Sequence, residues 1–177
     1  EQIRARCDGL LQSPGMRPRE LVRRAGVRAL CTTDDPCATL DAHQLLAKEM
    51  EFCRVLPTFR AERFLNLEHP ALFNKALDDL GRVCHREIST LDDLLEELAA
   101  RHTFFHEQGC RISDMSCGAF EFAAFSRDRA QHSFSRLRGG SAPDKADTAQ
   151  LRSLLLFELA TLDHQRGWTM QLHLGAL

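Results

Sequence analysis

The spacing of apolar residues in this chain switches repeatedly between the short runs of buried strands and the three-and-four period of helices. No other feature restricts the fold as much. "VRALCTT" (27–33) is a short apolar run, and "DPCATLDAHQLLAKEM" after it carries Leu40, Leu45 and Leu46 in a helical setting. "CRVLPTFR" (53–60) is a second strand, with Pro57 near its end, where a lost ladder donor is tolerated. "HPALFNKALDDLGRVC" sets Leu72, Phe73, Ala76, Leu77 and Leu80 at helical spacing and offers Gly81 as a stop. "STLDDLLEELAARHTFFHEQG" opens on Ser89 or Thr90 as N-cap, with an aspartate three residues on. It aligns Leu91, Leu94, Leu95, Leu98, His102 and Phe105 on one face before Gly109.

"CRISDM" (110–115) is a third strand, and "TAQLRSLLLFELATLDHQRG" is a strong helix through Leu151, Leu154, Leu155, Leu159 and Leu162. That helix leads into a fourth strand, "TMQLHLGAL" (169–177), which reads as a buried strand with a histidine inside it. Residues 116–140 mix aromatics and arginines without a clean period, so 116–150 reads as a variable helical or loop insertion in a single domain, 1–177. The fold class is α/β: strands alternating with helices give a parallel sheet, right-handed crossovers and covered faces. Four such strands fit an open doubly wound sheet or an arc of a (β/α)8 barrel. In both, chemistry collects at the C-terminal ends of the strands.

The totals exclude several alternatives. A net charge of −2 with interspersed signs gives no reason to expect nucleic acid or an anionic membrane as partner. No run approaches the roughly 18 apolar residues of a membrane span, and the amphipathic start "EQIRARCDGLLQ" is unlike a secretory signal. The expected location is the cytoplasm. Seven cysteines, scattered singly at 7, 31, 37, 53, 84, 110 and 117, form no C-x-x-C pair and point to reduced, buried thiols.

Read in order, the strand ends supply Thr32, Thr33, Asp34 and Asp35, then Thr58 and Arg60, then Ser113 and Asp114, then His173. Each alone is a common turn former or cap. Together they line one rim. Arg60 suits a carboxylate, to which its planar guanidinium can donate two parallel hydrogen bonds; the competing role is an ion pair with Asp34, Asp35 or Asp114. Asp114 can serve as base, metal ligand or hydroxyl positioner, or only cap its loop. Asp34 and Asp35 precede Pro36, which equally suits capping of the following helix. A buried His173 needs a partner or a site, since leaving it unsatisfied costs about 1–3 kcal/mol. His102 and His106 imitate a metal pair, but no third ligand is evident nearby, and a structural role is expected for both.

"LCTTDDP", "VLPTFR", "RHTFFHEQGCRISD" and "GWTMQLHLGAL", in this order, resemble uronate isomerase, also called glucuronate isomerase, over nearly the whole chain. The resemblance implies a divergent member of the amidohydrolase superfamily with a distorted, metal-dependent (β/α)8 barrel. It implies interconversion of D-glucuronate with D-fructuronate, and of D-galacturonate with D-tagaturonate, by proton transfer between C2 and C1 through an enediol. A divalent metal, zinc, would lie close by, with its main ligands outside this chain. Carried over by position, Arg60 contacts the acid substrate, Asp114 and His173 become catalytic rim residues, and Thr32, Thr33 and Asp34 shape the substrate-binding floor. No residue here is assigned as a metal ligand.

Two departures bear on this expectation. Met115 stands where the family commonly has a histidine, removing a potential polar or metal-facing group, and no H-x-H pair occurs among the eight histidines. A late acidic metal ligand and any tyrosine are also absent. A full barrel takes about 250 residues and eight strands, so the sequence reads as a central segment with exposed sheet edges and an incomplete site. Two other readings stay open: a metal-dependent hydrolase of the same superfamily, and a non-catalytic remnant. The partner is a small hexuronate, with self-association left open.

Overall fold

A computed structural model describes residues 1–117 and 122–175 of the chain. It forms two compact units, Glu1–Thr32 with Leu40–Leu56, and Thr33–Thr39 with Pro57–Leu177. The end of the expected fourth strand, Ala176 and Leu177, and the stretch 118–121 of the expected insertion lie outside the described residues.

The first unit contains α1 (Gln2–Leu11), α2 (Pro18–Arg24), β1 (Ala29–Cys31), α3 (Asp41–Glu49) and β2 (Arg54–Leu56). Pro18 opens α2, where a missing N–H costs nothing. The strands are parallel, with Leu30 opposite Val55, and the Arg23 guanidinium lies 4.5 Å from the centre of the Phe52 ring. The apolar runs at 27–33 and 53–60 therefore carry a shorter ladder than their length suggests.

The second unit contains α4 (Pro70–Cys84), α5 (Leu91–Glu107), β3 (Ile112–Cys117), α6 (Arg127–Arg138), α7 (Lys145–Arg166) and β4 (Thr169–Leu174). Asp34 forms a parallel bridge with Phe59, Phe59 with Ser113, and Ser113 pairs with Met170 in the parallel β3–β4 ladder. Four backbone rows thus lie side by side in chain order, all parallel. The 33–39 segment is tied to α5 by Arg101, which donates to the carbonyls of Pro36 and Ala38, both at 2.6 Å.

Side chains of a strand alternate between faces, and here one face of β3 and β4 is covered by helices. Phe59 meets His102 and Phe105 edge-on at 5.4 and 5.1 Å. Ser113 Oγ donates to Asp163 Oδ2 at 2.5 Å, and His102 Nε2 lies 3.0 Å from Asp163 Oδ1. His102 stacks on Trp168 at 3.8 Å, and the Trp168 indole N–H donates to His106 Nδ1 at 2.9 Å. The expected structural role of the two histidines matches this geometry, since both are engaged in the helix–sheet layer.

The helices start where their caps are. Thr90 and Asp93 form a reciprocal capping box at α5, Ser126 caps α6, and Asp144 caps α7. Within 116–150, which carries no clear period, α6 still buries Ala130, Phe134 and Leu137 along one stripe.

Gly81 does not stop α4, as its sequence position suggested. The helix runs on to Cys84 and ends at His85, which adopts a left-handed conformation at φ 54. Gly81 is needed instead for a close approach: a Cβ there would stand 2.5 Å from the Arg86 carbonyl oxygen. The Arg86 N–H donates to the Gly81 carbonyl at 3.0 Å, so the chain folds back directly over this position. Gly→Ala in a helix ordinarily gains about 0.5–1 kcal/mol. Here Gly81→Ala is expected to lose about 1–3 kcal/mol through overpacking, which urea unfolding of the two proteins will measure.

The six cysteines among the described residues whose state is defined are all free. Burial, then the neighbouring Asp35 carboxylate, pushes the Cys37 thiol up to about 12. Only the thiolate is nucleophilic. The rate of Cys37 alkylation by iodoacetamide, followed by peptide mass spectrometry, should therefore still be climbing at pH 10, where an ordinary thiol with a pKa of about 8.5 has levelled off. A plateau by pH 9 would contradict that environment.

Candidate functional site

In β3 the residues alternate so that Ser113 and Met115 face the helices, while Asp114 and Ser116 face the opposite side. Met115 is 1 % exposed and pairs with Leu172 in the ladder. A side chain at 115 therefore packs toward the helix layer, on the other face from Asp114, so methionine here fills the core rather than vacating a place in the rim. In β4 the face shared with Asp114 carries Gln171 and His173, opposite Asp114 and Ser116 respectively.

Three of the expected site residues meet on that open face. His173 Nε2 stands 2.5 Å from Asp114 Oδ1, with side-chain exposures of 45 % and 11 %. The approach is close but not aligned as a hydrogen bond, and Asp114 Oδ1 is buried without a hydrogen-bond donor among the described residues. Arg60, 34 % exposed at its side chain, donates from Nη2 to Ser116 Oγ at 2.9 Å and from Nε to Glu62 Oε2 at 2.8 Å. Because Ser116 pairs with His173, the guanidinium, the carboxylate and the imidazole occupy one contiguous wall.

The expected burial of His173 is not observed. β4 has β3 on one side and no strand on its other edge among the described residues, so its face stays accessible, with Gln171, His173 and Leu174 all exposed. Arg60 does not pair with Asp34, Asp35 or Asp114 either. Glu62, in the 3₁₀ turn Glu62–Leu65 just after the second row, takes it instead, while Asp35 goes to Arg63.

The remaining expected residues have other partners or surroundings. Asp34 Oδ2 accepts from the Thr58 amide at 3.3 Å, and its carbonyl accepts from the Arg60 amide at 2.9 Å, so Asp34 supports the backbone that presents Arg60. Asp35 Oδ1 caps the Cys37 amide at 2.8 Å. α3 begins later, at Asp41, without a side-chain cap. Thr33 is exposed. Thr32 belongs to the first unit, where its hydroxyl lies 2.7 Å from His43 Nε2 and donates to the Leu56 carbonyl at 3.2 Å.

Near the foot of Arg63, Asp79 receives hydrogen bonds from Arg63 at 2.5 Å and Lys75 at 3.1 Å. These bonds hold its carboxyl well below the usual carboxylate range. This charge cluster fixes the 3₁₀ turn from behind. Sequence reasoning singled out neither Glu62 nor Ser116. The only advance signs were the R-x-E spacing after "PTF" and the period-two offset of Ser116 from Asp114, both common by chance.

The described residues contain no group of three His, Cys, Asp or Glu placed to hold a metal. Chemically, the wall offers a cationic fork for an anion beside a carboxylate–imidazole pair able to accept and return a proton.

Comparison with known proteins agrees over the whole chain. The glucuronate isomerase family model matches residues 1–177. The uronate isomerase of Cellvibrio japonicus is 35 % identical over 172 residues, covering 97 % of this chain and 36 % of the relative. That of Bacteroides thetaiotaomicron is 33 % identical over 177 residues, covering 99 % of this chain and 38 % of the relative. Among solved structures, uronate isomerase from Thermotoga maritima superposes with a TM-score of 0.86 at 27 % identity, over 91 % of this chain and 36 % of the other. Glucuronate isomerase from Caulobacter crescentus gives 0.84 at 23 % identity, over 96 % and 35 %, a likeness of fold. This chain therefore spans a little over a third of the length of these relatives. With the family model matched from end to end, the chain belongs to the glucuronate isomerase family.

Proposed function

We propose that this chain forms part of an aldose–ketose isomerase for hexuronic acids, converting D-glucuronate to D-fructuronate and D-galacturonate to D-tagaturonate. The observation that carries the reading is the wall of Arg60, Asp114 and His173 on one face of parallel strand ends. Four parallel rows in chain order, with helices on one face, support placing the segment as an arc of a (β/α)8 barrel. The open face then becomes the barrel interior.

In this reading the Arg60 fork binds the substrate carboxylate at C6 and sets the sugar chain across the wall. The Asp114–His173 pair faces C1 and C2. The pair brings a carboxylate oxygen and an imidazole nitrogen together as proton acceptors. The proton leaves C2 for the pair, its C–H electrons form the C1–C2 double bond, and the carbonyl electrons shift to O1, which takes a proton from solvent to give the enediol. The pair returns its proton to C1 while O2 gives its own proton back to solvent and becomes the ketose carbonyl, so atoms and charge balance without an oxidant.

A divalent metal, zinc, would supply polarisation of the carbonyl and hydroxyl oxygens when bound. Asp114 and His173 offer two donors where catalytic zinc sites take three protein ligands, so this chain does not by itself fit a complete metal site. The metal of the proposed enzyme takes its main ligands from outside this segment.

The test is incubation of a full-length protein carrying this segment with D-glucuronate and with D-galacturonate, following ketose formation. Arg60→Ala and Arg60→Lys, both folded by circular dichroism, should lower kcat/KM at least about 30-fold, corresponding to about 2 kcal/mol or more of lost transition-state binding. Full retention of activity in both would remove Arg60 from the carboxylate site.

A further inference from the structure

Glu62 occupies a position that its local backbone alone does not explain. The second row leaves the sheet after Phe59: the Asp114 amide donates to the Phe59 carbonyl at 3.1 Å, and the chain then turns into the 3₁₀ segment Glu62–Leu65. In a parallel ladder the next inward N–H, that of Ser116, would seek a backbone carbonyl of that row two residues on. It finds the Glu62 carboxylate instead, with Oε2 3.3 Å away. The same Oε2 accepts from Arg60 Nε at 2.8 Å, and Arg60 Nη2 donates to Ser116 Oγ at 2.9 Å. Glu62, Arg60 and Ser116 therefore close a ring of three hydrogen bonds across the mouth of the sheet.

This ring restricts the guanidinium in a defined way. An arginine side chain carries about 2 kcal/mol of rotamer entropy, and a single contact would leave it free to swing. Here its Nε edge is held by Glu62 and one Nη2 hydrogen by Ser116. The Nη1 end donates no hydrogen bond to the described residues. Nη1 and the second Nη2 hydrogen thus remain, among the described residues, as donors for a ligand.

We infer that Glu62 is a positioning residue that sets the orientation of Arg60 for a carboxylate ligand, with Ser116 as the second point of the ring. The inference rests on the reading of Arg60 as the substrate-carboxylate contact. Because Glu62 is ionic and close to Arg60, it also offsets part of the local positive charge. Its positioning role must therefore outweigh that cost, and substitution gives the two effects opposite signs. Loss of orientation weakens substrate binding, whereas loss of negative charge alone strengthens it.

The experiment compares Glu62→Ala and Glu62→Gln with Arg60→Ala and the Arg60→Ala/Glu62→Ala double variant, in a full-length protein carrying this segment, by steady-state kinetics on D-glucuronate. Glu62→Ala should raise KM about 10- to 100-fold, with kcat changed by a smaller factor, because an oriented charge-assisted donor is lost from substrate binding. Glu62→Gln keeps an acceptor for Arg60 Nε and should recover most of that loss. In the Arg60→Ala background, where there is no guanidinium to orient, Glu62→Ala should not raise KM further, and loss of its charge should lower KM if it changes it at all. A fall in kcat with KM unchanged in Glu62→Ala indicates loss of folded enzyme and overturns the inference. So does unchanged or lower KM, which makes charge the dominant effect. If Arg60→Ala itself leaves KM intact, the carboxylate reading of Arg60 fails first; if Arg60→Ala raises KM and Glu62→Ala does not, only the positioning role fails.

Discussion

The arrangement of the second unit depends on how Ser113 is held. Its hydroxyl donates to Asp163 on α7, and Asp163 in turn meets His102 on α5, so one carboxylate joins a strand to two helices. All three residues are almost fully buried. Removing one partner of a buried hydrogen bond leaves the other group unsatisfied in a low-dielectric layer, at about 1–3 kcal/mol. Since strand side chains alternate by residue, fixing Ser113 toward the helices fixes Asp114 and Ser116 toward the opposite face. A slip of one residue would turn Asp114 toward the helices and Met115 away from them.

The rest of the wall follows from that register. Ser116, placed by β3, meets Arg60 and the Glu62 carboxylate. β4, paired residue by residue with β3, brings His173 to Asp114. Trp168, at the entry to β4, stacks on His102 and donates to His106, so the start of β4 is held by the same aromatic and polar layer. The helix side thus provides rigidity, and the open side carries the groups with chemistry. That division suits a site whose members must be held close to a productive geometry.

Much of this was legible from residue order. The capping signal at Thr90 and Asp93 and the long apolar stripe of α7 marked those helices, and the runs at Ile112 and Thr169 marked their strands. Arg60, Asp114 and His173 stood out because strand ends were expected to converge. Tertiary contacts were not legible. Gly81 looked like a stop because helix ends favour glycine, whereas its absent Cβ makes room for the Arg86 carbonyl. The bounds of α6 inside the helical or loop stretch 116–150 are not legible, because its three buried apolar residues, Ala130, Phe134 and Leu137, are diluted by arginines and serines. Glu62 lies beyond its strand in a single turn, where no period points to it. Met115 seemed a lost polar group until the register placed it on the core side.

The proposed function requires that substrate meet the face bearing Arg60, Asp114 and His173. The most direct measurement is a crystal structure of a full-length protein carrying this segment with a hexonic acid analogue that cannot isomerise. The analogue carboxylate is expected on the Nη1 end of Arg60, with Glu62 still on Nε and C1 and C2 beside Asp114 and His173. A ligand carboxylate bound elsewhere, with this wall facing only protein, would contradict it.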